Sequence, residues 1–247
     1  MKVSIITVCF NSIATLEDTI HSVLGQSYSN IEYIIIDGAS KDGTLGVLNR
    51  FADRIKFVSE PDKGLYDAMN KGIAMATGDL IGILNADDIY QDEQVISNIV
   101  KSLNDSDAIY GDLVYVDFND TSKIIRYWKS GVYKENVFKK GWMPPHPTFF
   151  VKRKVYQKYG TFNISLRTSA DYEIMLRFIH KHKIKLSYYP NIITRMRTGG
   201  QSNASLKNRI KANKEDRLAW KLNGLKPGIF TLYAKPLRKL GQFLKKK

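Results

Sequence analysis

Four short apolar runs, each closed by a polar residue and separated by amphipathic stretches, constrain this chain more than anything else in it. VSIITVCF (3–10) is a continuous apolar run, as expected of a strand covered on both faces. YIIID (33–37), KFVS (56–59) and DLIGIL (79–84) are three more. Helical patterns lie between them. Leu16, Ile20, Val23 and Leu24 share one face, with Thr15 and Asp18 placed as an N-terminal cap. SKDGT opens a second helix with Leu45, Leu48 and Phe51 inward, and LYDAMNKGIAMA (65–76) reads as a third. This strand–helix repetition predicts an α/β fold with a mostly parallel central sheet flanked by helices.

Sheets of that kind bind ligands beyond the carboxyl ends of their strands. Asn11, Asp37 and the pair Asp87–Asp88 stand at three such ends. A single Asp after a strand is commonly a turn or a cap, so the grouping carries the argument. Adjacent carboxylates at the end of a buried strand repel each other unless a cation neutralises them. Hard divalent ions such as Mg²⁺ or Mn²⁺ take oxygen ligands, one or two carboxylates together with ligand phosphates. Asp88 is the expected metal ligand, with Asp87 free to accept hydrogen bonds from a ligand's hydroxyls.

The charge is divided unevenly. Residues 1–118 carry 8 Lys and Arg against 18 Asp and Glu, a net of −10, whereas residues 119–247 carry 30 against 6, a net of +24. An acidic half that binds a phosphate compound needs a metal between them, and a basic half suits anionic lipid, nucleic acid or phosphorylated ligands. Cys9 is the only cysteine, which excludes an internal disulfide or a cysteine-rich zinc site and leaves Cys9 as a small buried residue. MKVSIITVCFN lacks a signal-peptide pattern, and no apolar run reaches the ~18 residues of a spanning helix. A cytoplasmic location is therefore expected.

The second half is less regular. AIYGDLVYVDF (108–118) and IIRYW (124–128) read as paired strands, GWMPPHPTFFVKR (141–153) as a loop entering a strand, and LSYYP and IITRMR as strands. SADYEIMLRFIHKH (169–182) is helical, with Ile174, Leu176 and Phe178 toward the core, and residues 203–223 form a basic amphipathic helix.

VSIITVCFN, YIIIDGASKDGT, DKGLYDAMNKGIAMATGD and ILNADD, in this order, resemble glycosyltransferase family 2, the inverting nucleotide-sugar-dependent enzymes of GT-A fold. The resemblance covers roughly residues 1–200, is strongest over 1–90, and is similar in kind to bacterial enzymes of surface-polysaccharide assembly. It implies that Thr7, Asn11, Asp37, Lys63, Asp67 and Asp87 contact the nucleotide or donor, that Asp88 binds Mn²⁺ or Mg²⁺, and that the donor is a UDP-sugar. Asn85 stands where many members have another acid. An acceptor hydroxyl needs a base, and the family's pattern in TSADYEIMLR points to Asp171. A helix N-terminus favours its ionised form, although the same residue type also serves simply to cap helices. Glu173 is the weaker candidate. Trp142 and His146, in GWMPPHPTFF, are candidate acceptor or phosphate contacts, with Trp142 able to stack on a sugar. Arg195 and Arg197, next to the RTGGQS loop, are candidates to close over the diphosphate. A structural loop histidine and solvated strand-edge arginines are the plainer alternatives.

Three segments follow: a nucleotide-sugar-binding half (1–118), an acceptor-binding and catalytic half of the same domain (119–225), and a basic tail (226–247). The tail has seven basic residues and no acid, with Phe230, Tyr233, Leu237, Leu240 and Leu244 at helical spacing. Such a stripe suits an anionic membrane surface, where lipid-linked acceptors are found, or packing on its own domain. No nucleic-acid-binding module is recognisable, and Tyr127, Trp128, Tyr188 and Tyr189 read as core. The expected function is metal-dependent inverting sugar transfer to a glycan or lipid-linked acceptor. A nucleotidyltransferase-like enzyme and a degenerate nucleotide-sugar-binding module are the alternatives.

Overall fold

The computed structural model describes residues 1–199, 206–228 and 231, with the backbone alone for 206–212. The rest of the RTGGQS loop and most of the basic tail lie outside the described residues. In chain order the elements are β1 (Val3–Cys9), α1 (Leu16–Leu24), β2 (Ile31–Asp37), α2 (Thr44–Arg50), β3 (Lys56–Ser59), α3 (Leu65–Met75), β4 (Leu80–Ile83) and β5 (Asp88–Tyr90). Next come α4 (Val95–Ser102), β6 (Ala108–Val116), β7 (Ile124–Trp128), β8 (Phe150–Lys152), α5 (Arg153–Tyr159), α6 (Ala170–Met175), β9 (Leu186–Arg197) and α7 (Leu206–Leu222).

The strands form one sheet in the order β3-β2-β1-β4-β8-β6-β9-β5, with β7 beside β6. The predicted parallel arrangement holds for β3-β2-β1-β4 and returns at β6–β9. The other pairings are antiparallel, so the sheet is mixed. The short β8 sits between β4 and β6, and the acidic and basic halves therefore share one sheet.

Alternation along β1 divides the core. Val3, Ile5 and Cys9 pack with Leu16, Ile20, Val47 and Ile96 from α1, α2 and α4. Ile6 and Val8 face the other way, with Met69 and Ile73 of α3 and with Ile174 and Phe178. Ile5, Ile6, Ile34 and Ile35 are wholly buried, each contributing roughly 1.5–3 kcal/mol. Gly72 lets α3 lie directly on β1, because a Cβ there would come within 2.4 Å of Ile6.

Local differences from the expected pattern have physical causes. Thr15 does occupy the N-cap of α1, but its hydroxyl donates to the Ala86 carbonyl rather than to a helix N–H. LSYYP and IITRMR join into the single strand β9, with irregular register opposite Gly111–Leu113. Pro190 has no N–H for a continuous ladder, so the strand accommodates it there. After α6 the helix continues as a π-helical turn, Leu176–Lys181. Among the described residues no helix is long and apolar enough to cross a membrane.

Candidate active site

Parallel register puts the polar strand ends level. Cys9 pairs with Asp37 and Asp37 with Ser59, while Ile83 pairs with Ile6 three residues before Cys9. Asp37 is fully buried. Its Oδ2 accepts from the Ser59 hydroxyl at 2.6 Å and the Ser40 N–H at 3.1 Å, and its Oδ1 accepts from the Ser40 hydroxyl and the Cys9 thiol. Burial, reinforced by the Asp37 charge, pushes the Cys9 thiol far up, so it stays protonated and donates. Asn11 adopts a left-handed backbone (φ 50°), which Asn tolerates. Its N–H donates to Ser40 Oγ at 2.7 Å, and its Oδ1 accepts from the Lys41 N–H at 2.9 Å. Asp37 and Asn11 thus hold one loop, 38–41, from two sides.

The loop before α3 lies against this rim. A Cβ on Gly38 would meet Asp62 Oδ2 at 2.6 Å and the Phe10 ring at 3.3 Å, so a side chain there would displace the Asp62 carboxylate. Asp67 Oδ2 accepts from the Lys63 N–H at 3.0 Å, and the Lys63 side chain is exposed. Phe10 is 60% exposed at the end of β1. The exposed ring leaves a flat apolar face beside the polar strand ends. Phe10 closes an apolar run, so nothing in the local sequence separates it from a core residue. Thr7 has the opposite fate: it is fully buried in mid-strand, and its hydroxyl pairs with Tyr33 Oη at 3.0 Å, away from the rim.

At the end of β4, α1 grips the acidic turn. The Thr19 hydroxyl donates to the carbonyls of Ala86 at 3.0 Å and Asp88 at 2.8 Å. Asp88 is fully buried whereas Asp87 is partly exposed. Asn85 Nδ2 donates to Asp88 Oδ2 at 3.1 Å, and Asn85 Oδ1 and Asp88 Oδ1 are buried without a partner. Burial, together with the neighbouring Asp87 charge, holds the Asp88 carboxyl well above the usual carboxylate range, and burial raises Asp87 as well. Buried oxygens without donors, next to a second carboxylate, form a hard-oxygen donor set of the kind Mg²⁺ or Mn²⁺ takes. Among the described residues no three acidic, imidazole or thiol groups converge on one point. Asp87, Asp88 and Asn85 could hold such an ion only together with oxygens supplied by a ligand.

Arg197 is 6% exposed and fully engaged. Its guanidinium donates to the Asp87 carbonyl at 3.1 Å, the Phe118 carbonyl at 3.1 Å and Asp18 Oδ2 at 2.5 Å. It clamps the acidic turn to β9 and α1 rather than standing free to close over a ligand. Arg195 donates to the Thr121 carbonyl at 2.8 Å. Trp142 is 5% exposed, packs against Tyr110, Tyr133 and Phe138, and donates its indole N–H to the Ser130 carbonyl at 2.9 Å. That is a core position, with little ring face left for a sugar. The carboxylate of Asp112, also fully buried, accepts from Tyr127 and Tyr188, which accounts for those strand tyrosines.

Asp171 lies in the first turn of α6, partly exposed. Tyr66 Oη donates to its Oδ1 at 3.2 Å. The Tyr66 ring stacks on Phe162, whose ring in turn meets the His146 ring edge-on at 5.6 Å. Burial pushes His146 below the ordinary histidine range, with the Asp171 charge opposing in part, so the imidazole is neutral at pH 7. Glu173 is committed elsewhere: it is buried, paired with Arg177 at 3.0 Å, and accepts from Asn223 at 2.9 Å. Asp171 and His146 thus come together, and Tyr66 joins them to the segment that holds Lys63 and Asp67. No local pattern exposes Tyr66, since its partner is 105 residues away.

The family model for glycosyl transferase family 2 matches residues 4–164. A PGL/p-HBAD biosynthesis glycosyltransferase of Mycobacterium tuberculosis is 27% identical over 215 residues, covering 81% of this chain and 78% of that one. An uncharacterized glycosyltransferase of the same organism is 32% identical over 178 residues, covering 71% of this chain and 68% of the other. Among solved structures, Staphylococcus aureus TarS 1–349 in complex with UDP-GlcNAc has a TM-score of 0.70 at 14% identity, covering 99% of this chain and 72% of that one. The mannosyltransferase PcManGT of Pyrobaculum calidifontis, in complex with GDP-Man and Mn²⁺, has a TM-score of 0.66 at 20% identity, covering 95% and 68%.

Proposed function

The chain belongs to glycosyl transferase family 2 and is a glycosyltransferase of GT-A-like fold, and from that premise we propose that it transfers a sugar with inversion from a nucleotide-sugar, a UDP-sugar in the first instance, in a divalent-metal-dependent reaction. The observation that carries the metal and donor reading is the pair of unpartnered buried oxygens on Asn85 and Asp88 beside the partly exposed Asp87. When bound there, Mg²⁺ or Mn²⁺ supplies Lewis-acid stabilisation of the departing diphosphate. Exposure makes Asp87 the first carboxylate a cleft ligand meets, with Asp88 and Asn85 completing the set.

The chain's own groups do the rest. Phe10 offers its ring face to the base, and the loop braced by Asn11 and Asp37 lines the nucleotide. Lys63 and Asp67 extend the donor site along the start of α3. Asp171 takes the proton of the acceptor hydroxyl as it attacks from the side opposite the leaving diphosphate. His146, neutral and next to Asp171, is an uncharged hydrogen-bonding group for the acceptor. The net charge of residues 119–247 supports an acceptor at an anionic surface, a glycan or lipid-linked saccharide on the cytoplasmic membrane face.

Calorimetry with UDP and a set of UDP-, GDP- and dTDP-sugars, in Mn²⁺ and in EDTA, tests the donor and metal assignment. Binding of a UDP-sugar in Mn²⁺ that disappears in EDTA and in Asp87→Ala supports it. Equal binding in EDTA overturns metal dependence.

A further inference from the structure

One face of α3 reaches across to the acceptor side of the molecule. Tyr66 and Asn70 are four residues apart, so they share that face. Tyr66 donates to Asp171 Oδ1 at 3.2 Å and stacks on Phe162 with ring centroids 5.5 Å apart. Asn70 grips the backbone of the same Phe162 twice: Nδ2 donates to its carbonyl at 2.9 Å and Oδ1 accepts from its N–H at 2.9 Å. Tyr66 is 8% exposed, and the Phe162 ring also meets His146. The phenol therefore cannot swing away without unstacking a ring whose own backbone is pinned. Burial first, and then the Asp171 charge, push the Tyr66 hydroxyl far above its ordinary range, so it remains a donor at any working pH.

We infer that Tyr66 is a positioning residue for sugar transfer: its hydroxyl fixes the Asp171 carboxylate in one orientation, engaging Oδ1 and leaving Oδ2 to receive the acceptor's proton. A carboxylate at the start of a short helix has free rotation about two bonds, and a base that turns away from the acceptor loses rate without losing donor affinity. The inference rests on the assignment of Asp171 as base. It adds that the base is oriented from the first half of the chain, by α3, whose start at Leu65 lies between Lys63 and Asp67.

The test uses the full chain with Mn²⁺ and the same panel of UDP-, GDP- and dTDP-sugars. Water stands in for the acceptor, and the released nucleoside diphosphate is measured. Tyr66→Phe keeps the ring stack and removes only the hydroxyl. It is expected to lower kcat about 10-fold with donor affinity unchanged within about twofold, as loss of orientation requires. Asp171→Asn is expected to lose far more, and adding Tyr66→Phe to it is expected to cost nothing further, because the phenol then has no carboxylate to orient. If Tyr66→Phe alone stays within about twofold of wild type, or if its loss multiplies with that of Asp171→Asn, the inference is overturned while Asp171 stands as base. A near wild-type rate for Asp171→Asn removes the base assignment and the role of Tyr66 with it. Absence of turnover on every donor that calorimetry shows to bind removes the assignment of Asp171 as a base acting on water, and the role of Tyr66 with it, while the donor reading stands on the binding data.

Discussion

Asn85 Nδ2 donates to Asp88 Oδ2 at 3.1 Å, and the remaining side-chain oxygen of each residue is buried without a partner. The amide neutralises nothing; it only orients. Fully buried and beside Asp87, Asp88 holds its proton more tightly than an ordinary carboxyl. A third carboxylate in place of Asn85 would increase the repulsion without an ion and the attraction with one. Asn85→Asp is therefore expected to lower the melting temperature by a few degrees in EDTA. It should also tighten Mn²⁺ binding in the presence of UDP several-fold. Differential scanning fluorimetry and calorimetry check the two signs; a rise in the EDTA melting temperature contradicts the account.

Asp171→Asn keeps the shape of the side chain and removes its basicity. Donor binding in Mn²⁺ should match wild type, and transfer should fall by about 10²–10⁴-fold, the usual worth of a general base. Steady-state release of the nucleoside diphosphate, with donor binding measured separately, distinguishes this from a misfolded variant.

The Arg197 clamp makes a prediction opposite to that of a ligand-closing arginine. Its three hydrogen bonds hold α1, the Asp87 turn and the Phe118 carbonyl together. Arg197→Lys cannot reproduce the fork, since an ammonium is a point donor. It should destabilise the protein by about 1–3 kcal/mol, seen as a lower urea midpoint, before any ligand is added. A donor-affinity loss at unchanged stability would instead identify a phosphate contact.

Acid sensitivity has a definite source in Glu32. Burial alone would raise its carboxyl, but hydrogen bonds from the Thr77 N–H, Ser4, Lys56 and Lys2 outweigh it and hold the group well below the usual range. A depressed carboxylate contributes stability that is present above its unfolded pKa and is lost as pH falls through the folded one. Melting temperature should thus decline below about pH 4, where the unfolded chain takes up the proton first. Glu32→Gln should be less stable at pH 7 and show a shallower decline. Parallel pH–melting curves decide it.

The basic tail is best tested by cutting after Thr231, because the Thr231 hydroxyl donates to the Lys139 carbonyl at 2.6 Å and belongs to the domain. A chain ending there should release from vesicles containing anionic lipid and keep its activity on a water-soluble acceptor. Unchanged co-sedimentation with those vesicles rejects a membrane role for residues 232–247.

Much of the grouping of polar strand ends was legible because it is local. An apolar run followed by a polar residue reports a strand end, and parallel register then sets the ends of β1, β2 and β4 on one edge of the sheet. Residue types that serve two purposes were not legible. Thr7 and Trp142 look like contacts and are core, each with its polar group spent on an interior partner. Phe10 looks like core and is the most exposed aromatic of the rim. Arg197 looks like a ligand for phosphate, and its charge is spent on Asp18 and two carbonyls. Tyr66 was invisible because hydrogen bonds across 105 residues leave no periodic trace.

The ladder between β5 and β9, in which Asp88 pairs with Met196, has a bearing on the order in which this protein matures on the ribosome. Asp37, Asp87 and Asp88 have all been synthesised by residue 88, yet the strand that carries Asp88 has no partner until residues 194–196 follow. Nascent chains halted near residue 118 should therefore expose an unpaired, carboxylate-bearing edge and fail to retain nucleotide. Competence would come late and all at once, when the last strand slides in beside its two neighbours.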